Sequence, residues 1–448
     1  MSYNQVIQPV EDHFGDILLE DLALTDRVFP GRVLPDLHAA LAQLADVGFT
    51  VRQFIAPQQY HKPVAQIVQI YERCPTQPVV AGAPQYLEVD VGDEHPVRCL
   101  THGLWLLETA GRRCAVLYSL QQCGALFQIV APPTRGPDIA TAFFKYLERE
   151  VEKGQSYRGK VLSLDAERSY TGQFHGFLVH RLRPVRRESV ILAPHVLELL
   201  DRNTVRFVEQ RERLRAAGMA TKKGLLFHGP PGTGKTHTIH YLAGATAGQT
   251  TLLITAEQIG LLGEYMTLAR LFQPCLVVIE DVDLIAQERS EVRSPGDQVL
   301  LNKLLNEMDG LRPDADILFV LTTNRPEVLE DALAARPGRI DQAIEFPYPD
   351  EGDRARLMRL YAHRVAVAAD VVERAVSRTA GVSGSFIKEL MRRAAQFAFE
   401  RDAPEIGWPD VEAALDELLI RGSPLNRKIL GAGRTGGGGD RSATGEGK

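Results

Sequence analysis

Apolar positions along the chain change period several times, and each change predicts an element. Over residues 34–47 (LPDLHAALAQLADV) they recur at helical spacing, with Gly48 placed to stop the helix. Residues 49–55 predict a strand and 64–73 a second helix. Strand formers dominate 97–107 and 114–120 and flank Thr109-Ala110-Gly111-Arg112, a turn signal, so the pattern predicts a hairpin, with 126–130 as a third strand. Pro132-Pro133 and Gly136-Pro137 break the run. Residues 138–153 (DIATAFFKYLEREVEK) return to the helical period, and 159–164 and 176–182 predict two more strands. Residues 1–30 show no clear period.

In the second half, 194–217 predicts one long helix that Gly218 ends. Apolar runs at 224–228, 250–255, 276–279, 317–321 and 343–346 then alternate with helical segments, which predicts a parallel sheet with helices on both faces. Residues 350–421 are helical throughout in pattern, with helices expected at 353–365, 370–379, 385–401 and 409–420. The last stretch, 422–448, is dominated by Gly, Ser, Arg and Lys and cannot bury enough apolar surface to order itself. The expected organisation is an N-terminal mixed α/β domain (1–187) for substrate or partner, a large α/β subdomain (188–349), a helical subdomain (350–421) and a disordered tail (422–448).

Composition adds limits. A chain of 448 residues holds more than one ordinary domain, and 44% hydrophobic with 24% charged residues suits a globular protein in water. The net charge of −6 gives no global attraction for nucleic acid. The one local basic run, RLRPVRR at 181–187, lacks interleaved aromatics and reads as a solvated or salt-bridged junction. No apolar run is long enough to span a bilayer, and the N-terminus has no secretory pattern. Cys74, Cys99, Cys114, Cys123 and Cys275 form no CxxC pair, so reduced thiols and a cytoplasmic location are expected. His95, His102, His175 and His180 are scattered singly and read as structural or exposed.

The chemistry concentrates at GPPGTGKT, residues 229–236, which meets G-x-x-x-x-G-K-[ST] at every fixed position between a strand and a helix. Gly229, Gly232 and Gly234 let the backbone turn and aim its N–H groups at phosphate oxygens, and the following helix points its positive end at the same anion. Lys235 can reach the β- and γ-phosphates, and the Thr236 hydroxyl can hold Mg²⁺. The nucleotide-contacting set is Gly229, Pro230, Pro231, Gly232, Thr233, Gly234, Lys235, Thr236 and His237. CLVVIEDVD (275–283) is an apolar strand ending in acids, where one carboxylate would hold Mg²⁺ and its neighbour polarise the attacking water. Asn324, at the end of the strand LFVLTTN, can orient water by the γ-phosphate. Arg336 and Arg339 flank Pro337-Gly338, a tight turn where a guanidinium suits charge stabilisation across a subunit boundary, although taken alone the two arginines read as surface salt-bridging.

Together GPPGTGKT, VVIEDVD (277–283), LLNEMDG (304–310), TTN (322–324), ALAARPGRID (332–341) and TAGVSGSFIKEL (379–390) resemble the AAA ATPase module of the membrane-protease, proteasomal and segregase-type unfoldases, over residues of about 190–421. The resemblance implies an α/β phosphate-loop NTPase core with a helical lid, ATP and Mg²⁺ as ligands, and a homo-oligomer, commonly a hexameric ring, that remodels protein substrates. It puts Glu280 at the Mg²⁺ carboxylate position, Asp281 at the catalytic base, Asn324 at the γ-phosphate sensor, and Arg336 and Arg339 at arginine fingers. Gly384 and Ser385 would approach the nucleotide from the lid.

Three departures stand out. The family usually has Asp-Glu where this chain has Glu280-Asp281, so the base has a shorter arm and slow hydrolysis is expected. The central pore loop usually carries an aromatic before Gly-Glu, whereas here Leu261 stands near that position in IGLLGEY (259–265) and Tyr265 follows. The segment 263–274 is short, and Leu311 replaces a usual Phe. No HExxH motif follows the module, so a built-in metalloprotease is not expected. The leading reading is an ATP-driven protein remodeller, working by threading or by assembly and activation. A nucleotide-switched binding module with slow turnover is the alternative, and a nucleic-acid motor stands third.

Overall fold

The computed structural model describes residues 5–71, 79–134, 136–164, 176–246, 248–287, 303–304, 306–329 and 339–421. They fall into two compact units, 1–181 and 182–448. The expected tail at 422–448 lies outside the described residues.

The first unit is built on an antiparallel sheet. Its main elements are α1 (Ile7–Phe14), β1 (Ala23–Phe29), α2 (Leu34–Ala42), β2 (Thr50–Ile55), β3 (His102–Thr109), β4 (Arg112–Gln121), β5 (Gly124–Ala131) and α3 (Gly136–Lys153). The sheet order is β1-β5-β4-β3-β2. The hairpin expected at Thr109–Arg112 is present: Thr109 pairs with Arg112, and Ala110 and Gly111 take φ of 49° and 74°. Two positive-φ residues give the twist that a two-residue hairpin turn needs. One face of the sheet packs Phe29, Leu107 and Phe127 against Leu37 of α2 and Phe143 and Leu147 of α3. The other packs Leu104, Leu117 and Val130 against Val10 and Phe14 of α1 and Ile67 and Ile70. Both α1 and β1 come from the stretch that showed no period. β1 is an edge strand with most positions partly or fully exposed, so alternation is weak there.

The second unit carries α4 (Pro194–Asn203), β6 (Lys223–His228), α5 (Lys235–Ala245), β7 (Thr250–Ile254), α6 (Leu262–Leu271), β8 (Cys275–Ile279), α7 (Val282–Gln287), β9 (Ile317–Thr323) and β10 (Gln342–Glu345). Within this unit the strands run parallel in the order β7-β8-β9-β6-β10, as expected for a phosphate-loop NTPase. The chain leaves β6 and returns beside it only at β9 and β10. The C-terminal tip of β6 is therefore where strand order reverses, the place such sheets bind ligands. Leu225, Phe227, Leu276, Val278, Leu318, Val320, Ile344 and Phe346 form the core under α5 and α4.

The helix expected over 194–217 is instead three pieces, Pro194–Asn203, Val205–Glu209 and Arg211–Ala216. The break falls at buried Thr204 (φ −121°, ψ −90°), whose hydroxyl donates to the Leu200 carbonyl at 2.7 Å. Such back-bonding competes with the helical ladder. Gly218, at φ 73°, ends the last piece.

Residues 350–421 form α8 (Glu351–Ala362), α9 (Ala369–Arg378), α10 (Gly384–Glu400) and α11 (Trp408–Leu415) around Met358, Phe386, Leu390 and Leu415. They are not helical throughout: Ala366–Val367 and Glu405–Ile406 make a short parallel pair. Asp350 caps α8 through the Asp353 amide (2.7 Å), and Ser383 caps α10 through the Phe386 amide (3.2 Å). No described helix is long and apolar enough to cross a membrane.

Phe227 and Phe346 are fully buried with ring centroids 5.1 Å apart, joining β6 to the segment after β10. Replacing Phe346 with Ala should destabilise the second unit by about 3–5 kcal/mol, read in a denaturant melt as an earlier transition for that unit alone.

Candidate functional site

The loop 229–234 leaves β6 and enters α5 with Gly229, Gly232 and Gly234 at φ 145°, 75° and 106°. At two of them the need for glycine is steric as well. A Cβ on Gly229 would lie 2.3 Å from the Phe346 carbonyl oxygen, and one on Gly232 would lie 2.0 Å from the Ser385 Oγ. Thr233 braces the loop from within, its hydroxyl donating to the Pro230 carbonyl at 2.9 Å. The loop opens on a cleft of about 620 Å³, lined also by Ser189 to Ala193 and by Tyr348, Leu357, Tyr361, Ser385 and Lys388.

Lys235 is buried at the first position of α5, and its ammonium donates to the carbonyls of Gly229 (2.7 Å) and Pro230 (2.9 Å). Burial pushes its pKa down to about 8, while Asp281 and Asp283 pull the other way. An arriving phosphate would add a negative partner and favour the charged form.

The acids converge on the same mouth. Thr236 donates from its hydroxyl to Glu280 Oε1 at 2.9 Å. A hydroxyl and a carboxylate are hard oxygen ligands that suit Mg²⁺, which takes its remaining ligands from phosphate and water. Asp281 sits one residue further, at φ 51°. Its amide donates to Thr322 Oγ1 (2.9 Å), and its Oδ1 accepts from Asn324 Nδ2 (3.0 Å). Asn324 is thus at the tip of β9, as its place in the sequence implies.

Two of the groups that set this geometry carry no role in the sequence reading. Asp283 is buried and accepts from Thr323 Oγ1 (2.9 Å) and the Asn324 amide (3.1 Å), so it fixes the residue that holds Asp281. Ser383 pairs its hydroxyl with that of Ser385 at 2.9 Å. The signals were VVIEDVD and TTN themselves, but only the fold places their side chains together. From the lid, the Ser385 amide donates to the Gly232 carbonyl at 3.1 Å, and Gly384 lies against the same residue, so both are at the loop. His237 Nε2 lies 3.3 Å from the Ser189 carbonyl, to which it donates, tying α5 to the segment that walls the cleft.

Arg339 is not in this cleft. Its side chain is 11% exposed, paired with Asp309, and it donates to Asn306 Oδ1 at 3.3 Å. Arg336 lies outside the described residues. In the segment read against a pore loop, Tyr265 and Leu262 are fully buried and the Tyr265 hydroxyl donates to Gln258 Oε1 at 3.0 Å, so both are core residues; Leu261 is half-buried. Two arginines of the basic run are salt-bridged: Arg181 to Asp90 within the first unit and Arg187 to Asp201 within the second, each at 2.7 Å.

Residues 225–348 match the family model described as "ATPase family associated with various cellular activities (AAA)". Over 236 residues the chain is 33% identical to the ATP-dependent zinc metalloprotease FtsH 3 of Sphaerobacter thermophilus, which covers 50% of this chain and 48% of that protein. It is 35% identical over 230 residues to the FtsH of Acidothermus cellulolyticus (48% and 34%), and 30% identical over 234 residues to the 26S proteasome regulatory subunit 8 of Caenorhabditis elegans (50% and 56%). The chain therefore spans between a third and a little over half of the length of these relatives.

The lowered pKa of Lys235 has a direct consequence. Below about pH 8 the ammonium is charged and attracts phosphate; above it the folded, ligand-free protein loses that charge. ADP affinity measured in EDTA should fall as pH rises through about 8, and binding at pH 8–9 should take up a proton, read by titration calorimetry in buffers of different ionisation enthalpy.

Proposed function

We propose, from the premise that the second half of this chain is an AAA ATPase domain of the unfoldase type, that the protein hydrolyses ATP with Mg²⁺ and uses the cycle to remodel other proteins. The observation that carries this reading is the convergence of Thr236–Glu280 and Asn324–Asp281 beside buried Lys235. The loop amides and Lys235 bind the phosphates. Thr236 and Glu280 hold Mg²⁺, which when bound neutralises phosphate charge. Asp281, oriented by Asn324, accepts the proton of the attacking water. The site is completed by a neighbour in a homo-oligomeric ring, which we take to be a hexamer, with Arg336 and Arg339 as the residues that reach across, Arg339 only on release from Asp309 and Asn306. The first unit selects the protein substrate. The cysteines among the described residues are all free thiols, three of them buried, which supports work in the cytoplasm.

Phosphate release from the wild type beside Lys235→Ala tests the activity. Loss of a preorganised phosphate ligand should cost on the order of 10²-fold or more in turnover. Equal rates in the two would sink the reading. Sedimentation with ATP and with ADP reports whether a six-subunit ring forms.

A second reading, slow nucleotide-switched turnover, is favoured by the short arm of Asp281. The double variant Glu280→Asp/Asp281→Glu restores the usual order of acids and should raise turnover about tenfold or more; an unchanged or lower rate argues that arm length does not limit the reaction. Burial of Tyr265 also favours assembly or activation over threading, because no aromatic of that segment is available to grip a chain. ATPase stimulation by an unfolded model polypeptide, lost in Leu261→Asp, would instead favour threading.

A further inference from the structure

We propose that the outer edge of β1 is a docking edge for an extended polypeptide. The polypeptide adds to the first unit's sheet as a further strand and sets apolar, basic and apolar side chains against Leu24, Asp26 and Val28. That it is a substrate rests on the reading of the first unit as the selecting part; the edge itself rests on the strand. Among the described residues β1 pairs only with β5, so alternate N–H and C=O groups along its other side have no strand to meet. Its pairing to β5 is unbroken from Ala23 to Phe29, with no bulge and no proline inside the strand. The far edge of the sheet differs. In β2 the register shifts between Val51 and Gln53, and a bulge of that kind turns an edge away from further pairing.

The side chains of β1 decide what can add. Leu24, Asp26 and Val28 share the face on which Val130, the partner of Leu24, packs with α1. Leu24 and Val28 are 45% and 47% exposed. Asp26, between them, is exposed and has no hydrogen bond or ion pair among the described residues. Arg27 points to the other face, where it pairs with Glu148 and lies 4.7 Å over the Phe144 ring. The edge therefore presents apolar, acidic and apolar groups at alternate positions, and a strand that carries a cation between two apolar residues complements it. A second copy of this chain does not. Two β1 strands related by a two-fold axis that brings Leu24 opposite Val28 also set Asp26 opposite Asp26. A shift by one residue along each strand sets Arg27 opposite Arg27, or leaves each Asp26 opposite Leu24. Like charges directly opposite one another destabilise a strand pair.

The test titrates the full-length chain, without nucleotide, with fluorescent peptides centred on Val-Thr-Lys-Thr-Val and on Val-Thr-Glu-Thr-Val, in wild type, Asp26→Lys and Leu24→Ser. The wild type should bind the Lys peptide about fivefold tighter than the Glu peptide or better. Asp26→Lys should reverse that order, a gain that a misfolded variant could not show, and Leu24→Ser should weaken both peptides. Methylating the peptide's backbone nitrogens at one alternate set of residues should abolish binding and at the other set should not, because only one set faces β1. No binding of either peptide, a preference that ignores the charge at residue 26, or equal tolerance of both methylation sets overturns the proposal. Self-association of the wild type that the Lys peptide fails to compete also overturns it. Peptide binding with no effect on phosphate release from ATP upholds the edge and counts against substrate selection by the first unit. Phosphate release stimulated by an unfolded polypeptide equally in wild type and Asp26→Lys, with neither peptide bound, overturns the edge alone.

Discussion

A buried ammonium is costly unless polar groups replace its water, and the second unit is arranged around meeting that cost at Lys235. Two loop carbonyls do the first part. They can face the ammonium only because Gly229 takes a φ closed to other residues, and because its missing Cβ lets the Phe346 carbonyl come close. That approach requires β10 to lie beside β6. The second part is electrostatic, from Asp281 and Asp283. Asp281 lies just beyond β8 and Asp283 in the first turn of α7, two strands from β6, and the end of β9 between them supplies Thr322 and Thr323, with Asn324 just after it, to bind them. Strand order, loop glycines and acid positions are thus one solution to one constraint. A phosphate then enters a site where the positive charge is already fixed.

The order of the two acids follows from the same geometry. Residue 280 continues the line of β8, its amide bonded to the Ile254 carbonyl, so its side chain has to reach sideways to Thr236, and glutamate has the length. Residue 281 is at φ 51°, in the left-handed region, which Asp tolerates better than longer or branched side chains. The short acid therefore sits where the backbone suits it. Its carboxylate stays near the strand tips, within reach of Asn324. What this arrangement gains in local backbone fit it gives up in the length of the side chain at residue 281.

The phosphate loop, the acids and the five parallel strands were legible in the sequence because each is a local pattern: a spacing, or an apolar run with an abrupt polar end. The 109–112 turn was legible because Ala-Gly at its centre meets a local φ requirement. What was not legible depends on partners distant in the chain. β1 is an edge strand with little alternation, stabilised by register with β5 rather than by its own pattern. Thr204 fits a helical period and breaks the helix only through its hydroxyl. The pair Ala366–Val367 and Glu405–Ile406 is too short for a period to register. Asp283 looks like one acid among three until Thr323 and Asn324 are seen to bind it. Tyr265 has the same chemistry exposed or buried, and only packing decides that it is core.

The contact between Gly232 and the start of α10 links site and lid. The Ser385 amide donates to a carbonyl of the very loop whose other groups face the phosphates, and Ser385 Oγ occupies the space a side chain at 232 would need. The loop cannot shift to accommodate a ligand without either moving this contact or breaking it. Breaking it would leave a lid amide without its acceptor, at a cost of about 1–3 kcal/mol if buried. Moving it carries α10, and with it the packed cluster of Leu390, Met391 and Leu415, as one body, because that core is close-packed and does not deform gradually. A displacement of the phosphate loop would thereby be passed to the helices packed on α10. That coupling follows from one hydrogen bond placed on the back of a glycine.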